Sequence, residues 1–136
     1  MKAVSQRCLG DPDVLETVEV PRPAATPGHV LIELAATSVN PADCKLRAGA
    51  VAFLGEPPFI LGFDVCGTVC EVGSAVTRLQ RGDSVFGMVH TRTGTYSQYV
   101  LAPRGHPGRP SGEPGSPPGC RAAHRRLDRL AGLGGR

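Results

Sequence analysis

The residues able to do chemistry gather between Asn40 and Cys70. Asn40-Pro41-Ala42-Asp43 comes first, with Lys45 close behind. Asp64, Cys66 and Cys70 follow on the stretch Gly62 to Val76. An asparagine amide both donates and accepts hydrogen bonds, so Asn40 can hold a polar ligand or cap a helix. Asp43 and Lys45 read first as solvated charges, and Asp64 as a turn or structural hydrogen bond. Cys66 and Cys70 lie four apart on one predicted strand, so they share a face. That is not the short loop spacing of a zinc knuckle, and they read as buried apolar thiols. His29, His90, His106 and His124 form no ligand pattern. Tyr96 and Tyr99 fall on the last predicted strand, where packing is the default.

The elements that must position these groups are mostly strands. Met1 to Cys8 opens with an apolar-polar alternation, and Leu15 to Val20 repeats it. His29 to Val39 is the strongest strand on propensity. Pro41 to Ala48 reads as one short helix: Asn40 can cap it, Pro41 suits its first position and Gly49 ends it. Glu56-Pro57-Pro58 reads as a rigid extended connector. Phe59 to Val72 reads as one long strand, bent by glycines that signal a bulge, a corner or a close backbone approach. Ser84 to Val89 and Thr95 to Ala102 follow, joined by a hairpin turn at Thr91 to Gly94. Many short strands, regular turns and one small helix predict a mainly β barrel or sandwich.

Composition narrows the function. Residues 1–103 hold eight Lys or Arg against ten Asp or Glu, a mildly acidic body. Residues 104–136 hold seven Arg against Glu113 and Asp128. No basic patch with interleaved aromatics is present, so nucleic acid is not an expected partner. No apolar run approaches a membrane span, and Met1 to Arg7 is not followed by a signal-like apolar run. Five cysteines without a paired framework suggest reduced thiols and a cytoplasmic chain.

Five pieces, in order, resemble the N-terminal GroES-like domain of the medium-chain dehydrogenase/reductase superfamily, in its zinc-free, quinone-oxidoreductase-like branch. They are Ser38 to Gly49, Pro58 to Gly67, Gly73 with Val76, Gly82 to Gly87, and Gly94 to Val100. The resemblance runs from Met1 to about Pro103. It implies a partly open β-barrel with one or two short helices over residues 1–103. It also implies an oxidoreductase moving hydride between NADPH and a carbonyl, enone or quinone, and full-length relatives that are often homodimers. In zinc-dependent relatives a histidine ligand follows the first signature glycine, where this chain has Phe63. Their cysteine ligand is matched by Asn40, so the resemblance implies no metal. It makes Asn40 the candidate for polarising the substrate carbonyl or fixing the nicotinamide edge, and places Asp43, Lys45 and Asp64 near the cleft. A non-catalytic GroES-like module binding a partner or small molecule is the alternative. No Gly-x-Gly-x-x-Gly turn leading into a helix occurs in the sequence, so the chain carries the substrate side of a cleft and is expected to be inactive alone.

Residues 104–136 differ in kind. They hold eight Gly and five Pro but no Val, Ile, Phe, Tyr or Lys, and read as a disordered tail. Arg121 to Leu133 offers a weak helix at best. Read one base further along, His124 to Leu130 permits Thr-Ala-Gly-Leu-Thr-Ala-Trp, and Gly112 to Ser116 permits Ala-Asn-Leu-Asp-Pro. Both strings are similar to what the family places there, so the tail is expected to be out of frame, through a frameshift or a sequencing error, with a natural terminus as the alternative. Resequencing the coding DNA checks this: a homologous frame is expected to continue past Arg136. A confirmed frame with a genuine stop and no homologous frame downstream overturns it.

Overall fold

The structure is a computed structural model describing residues 1–105, 107 and 108. Its strands are β1 (Lys2–Gln6), β2 (Leu15–Glu19), β3 (His29–Ala36), β4 (Phe59–Ile60), β5 (Asp64–Val72), β6 (Ser84–Met88), β7 (Tyr99–Pro103) and β8 (Pro107–Gly108). One helix, α1 (Pro41–Ala48), follows β3, and a 3-10 turn at Pro12–Val14 leads into β2. The strands form two antiparallel sheets, ordered β2-β1-β4 and β7-β3-β5-β6-β8. The segment before β7 joins them. The Val4 N–H donates to the Tyr96 carbonyl at 2.7 Å, the Tyr96 N–H to the Leu61 carbonyl at 2.9 Å, and the Gln98 N–H to the Lys2 carbonyl at 3.2 Å. The result is the mainly β, partly open barrel with short helices that the sequence predicts.

Alternation along the strands fills the barrel. Val65 and Val69 of β5 point inward with Val30 and Ile32 of β3, Val85 of β6, and Val100 and Ala102 of β7. This is the aliphatic core that a chain without Trp must build. Gly67, between the two inward valines, lies against β3. A Cβ there would stand 2.1 Å from the Glu33 carbonyl oxygen, so only glycine admits this approach. The β3–β5 register shifts just beyond it, between Leu34 and Ala36.

Five expectations need correction. The long strand Phe59 to Val72 is two strands in different sheets. The chain turns at Gly62, which has φ +93° and no room for a side chain beside Thr95 and Tyr96. The final strand is shorter than Thr95 to Ala102 and makes no hairpin with β6. It pairs with β3, because Thr95 to Gln98 bridge the two sheets instead. The connector at Glu56-Pro57-Pro58 contains a cis bond between the prolines. The described cysteines are neither buried nor all reduced. Cys66 and Cys70 occupy the outward, half-exposed positions of β5, since alternation gives the inward ones to Val65, Gly67 and Val69. Cys8, Cys44 and Cys70 are free thiols, whereas Cys66 is disulfide-bonded. The cysteine count therefore no longer argues for a compartment. Pairing also continues past Pro103, where Pro107 and Gly108 meet Gly87 and Phe86. The rest of the tail expectation, including the Arg121 to Leu133 helix, lies outside the described residues. No described helix is long and apolar enough to cross a membrane.

A second apolar cluster seats α1. Leu46 packs with Leu54, Phe59, Leu61 and Phe63, flanked by Leu15 and Tyr96. Gly49 ends the helix in the left-handed region at φ 81°, and its N–H donates to the Leu46 carbonyl at 3.1 Å. Gln6, fully buried, donates through Nε2 to the carbonyls of Cys8 at 3.1 Å and Arg47 at 3.2 Å. That answers part of the unpaired acceptor set that every helix end leaves.

Tyr96 closes this cluster with its hydroxyl buried near the Asp43 carboxylate, but without a hydrogen bond of normal geometry. Burial pushes the phenol pKa well up, and the charge of Asp43 pushes it further. The neutral phenol is thus favoured by the fold. Its contribution to stability is complete below the ordinary tyrosine range near about 10 and is lost as pH rises beyond it. Tyr96→Phe is expected to be at least as stable as the parent at pH 7, because no hydrogen bond is lost. It is also expected to lose less stability between pH 9 and 11. Urea midpoints at the two ends of that range check this; a loss of about 1–3 kcal/mol at pH 7 contradicts it.

Candidate functional site

The start of α1 is built around one buried carboxylate. Asn40 stands at the N-cap with extended backbone, φ −108° and ψ 155°, and Pro41 takes the first helical position. Asp43, three residues on, completes its side of a capping box: Oδ2 accepts the Asn40 main-chain N–H at 2.7 Å. Oδ1 accepts the Gly62 N–H at 3.1 Å, across the bend between β4 and β5. Asp43 is only 2% exposed. It is neither a solvated charge nor a cavity-lining group, because both oxygens are taken up by main chain.

The Asn40 side chain has a different partner. Its Nδ2 donates to Asp64 Oδ2 at 2.9 Å, and the Ser38 hydroxyl donates to the same oxygen. Asp64 opens β5 and is half-buried. An amide nitrogen carries two hydrogens. One is fixed on Asp64, which sets the plane of the amide and leaves a second donor.

Asn40 and Lys45 reach a cavity of about 530 Å³ whose remaining wall is largely apolar, including Val51, Phe53, Phe63 and Met88. His90 also lines it. The His90 ring meets the Phe53 ring edge-on at 5.8 Å and the Phe63 ring at a tilt at 5.3 Å. Few polar groups in an apolar concavity are the usual make-up of a small-molecule site. The four sequence candidates therefore part company. Asn40 and Lys45 line the cavity, Asp64 orients Asn40, and Asp43 holds the backbone beneath.

Sequence reasoning missed Phe53, Met88 and His90. The available signal was Val51-Ala52-Phe53-Leu54, an apolar run in a loop bounded by Gly49 and Gly55. In the sequence His90 stands out only as a possible metal ligand. Among the described residues, no three His, Cys, Asp or Glu side chains are grouped to hold a metal ion.

Residues 26–109 match the alcohol dehydrogenase GroES-like domain. The chain is 35% identical to a quinone oxidoreductase of Lama guanicoe over 103 residues, covering 75% of this chain and 31% of that protein. It is 41% identical to an alcohol dehydrogenase of Rhizobium meliloti over 95 residues, covering 69% and 27%. The quinone oxidoreductase of Coxiella burnetii superposes with a TM-score of 0.74 at 33% identity, over 80% of this chain and 36% of that one. A mycobacterial protein complexed with NADPH gives 0.74 at 33% identity, over 83% and 35%. The chain spans less than a third of the length of these curated relatives. With more than half of its residues inside the matched domain, on the barrel and helix just described, the chain belongs to the alcohol dehydrogenase GroES-like family of the medium-chain dehydrogenase/reductase superfamily.

Proposed function

We propose that this domain is the substrate side of a zinc-independent, NADPH-dependent reductase for quinones, enones or related carbonyls. The observation that carries the reading is the Asn40 amide. It stands at the wall of an apolar cavity with one N–H tied to Asp64. The second N–H donates to the carbonyl oxygen of a flat substrate and stabilises the negative charge that develops there on reduction. Lys45 adds a positive charge at the same wall. Phe63 supports zinc independence, since an aromatic ring that packs on His90 offers no metal a ligand. Asn40 is the residue of this chain that fits the nicotinamide edge of NADPH. NADPH, when bound, supplies the hydride. The dinucleotide-binding turn is not encoded in these residues, so the 136-residue chain binds substrate without turning it over.

Two titrations of the purified chain test this. Menadione, a 1,4-naphthoquinone, is expected to shift the NMR signal of the Asn40 side-chain amide. Asn40→Ala is expected to weaken menadione binding roughly tenfold, the worth of about one hydrogen bond. NADPH, followed by nicotinamide fluorescence, is expected not to bind at micromolar concentration. An Asn40 signal that ignores menadione overturns the substrate-side reading, and micromolar NADPH binding overturns the division of labour.

A further inference from the structure

Arg92 lies two residues beyond His90, and its guanidinium gathers three main-chain carbonyls of one loop. It donates to Leu54, to Glu56 at 2.6 Å and to Pro58 at 3.2 Å. Its own carbonyl accepts the Ile60 N–H at 3.0 Å, at the end of β4. Gly55 leaves space for this grip: a Cβ there would stand 2.9 Å from Arg92 Nη1. The loop, residues 50–58, contains neither helix nor strand, yet it supplies Val51 and Phe53 to the cavity wall. Phe53 is 62% exposed, with its ring edge against His90. An exposed aromatic on an irregular loop keeps its place only if the loop is pinned. The planar, five-donor guanidinium spreads its N–H groups across a rigid fork that reaches three carbonyls here, whereas the three N–H groups of lysine fan from one atom. The segment 90–92, just after β6, thus holds the loop twice, by His90 against Phe53 and by Arg92 on the backbone.

Resting on the carbonyl-binding reading above, we infer that Arg92 is a positioning residue for substrate shape. By pinning residues 54–58 it fixes Phe53 as the outer wall of the cavity. The cavity then accepts flat, conjugated carbonyls over bulky saturated ones.

The full 136-residue chain is compared with Arg92→Lys, Phe53→Ala and the double variant. Without ligand, Arg92→Lys is expected to speed amide exchange at Gly55 about tenfold, since that N–H closes a turn onto the Ala52 carbonyl at 3.0 Å. Amides of α1 and β5 stay unchanged. With menadione as the flat probe and camphor as the bulky one, the parent is expected to prefer menadione. Arg92→Lys and Phe53→Ala each lower that preference roughly tenfold, a usual size for one pocket contact, and the double variant lowers it no further. A role in stability alone would weaken both probes equally. Exchange that is unchanged in Arg92→Lys overturns the inference, as does faster exchange with an unaltered preference. A parent chain that binds neither probe overturns the carbonyl reading and this inference with it.

Discussion

The Asp43 carboxylate gives one oxygen to the Asn40 N–H at the start of α1 and the other to the Gly62 N–H at the bend between the two sheets. A charge this deeply buried is tolerable only when its oxygens are hydrogen-bonded. Here both partners are backbone groups from distant parts of the chain. Helix entry and sheet corner are consequently fixed relative to each other. Removing the carboxylate would free both at once, and with them the position of Asn40 and of Phe63 one residue beyond the bend.

On that frame the site is assembled in layers. Asp64, first residue of β5, takes a hydrogen bond from Asn40 and one from Ser38. The orientation of the amide is thus set by the sheet rather than by solvent. The opposite wall comes from the loop after α1, held by Arg92 from the segment after β6. Four separate stretches of chain, around residues 40, 53, 63 and 90, meet at one cavity. Each is fixed by a polar contact to main chain or by aromatic packing.

Local physics made much of this legible. Asn40, Pro41 and Gly49 bounded α1 correctly, because capping and proline placement act within one turn of helix. The strand-like runs located β1, β2, β3 and β6. The glycine spacing at 62, 67 and 73 pointed to a chain that turns corners and approaches its neighbours closely, as Gly62 and Gly67 do. What escaped was non-local. Nothing near Gly62 says that its N–H will meet Asp43. Nothing in Thr95 to Gln98 says that the segment will join two sheets and leave only Tyr99–Pro103 to pair with β3. Asp43 looked like a solvated helix charge because a capping carboxylate and a buried one have the same sequence. Asn40 and Lys45 stood out as candidates through their place in a motif, and both line the cavity, whereas Phe53 and His90 become neighbours only when the loop folds back.

A structure of the chain with menadione bound measures the central claim most directly. The predicted result places the quinone ring in the cavity between Phe63 and Phe53, with one carbonyl oxygen about 3 Å from Asn40 Nδ2. The bond from Nδ2 to Asp64 stays in place. Menadione seated elsewhere, or in the cavity with the Asn40 amide turned away from it, would contradict the claim that this barrel presents a pre-oriented amide to a substrate carbonyl.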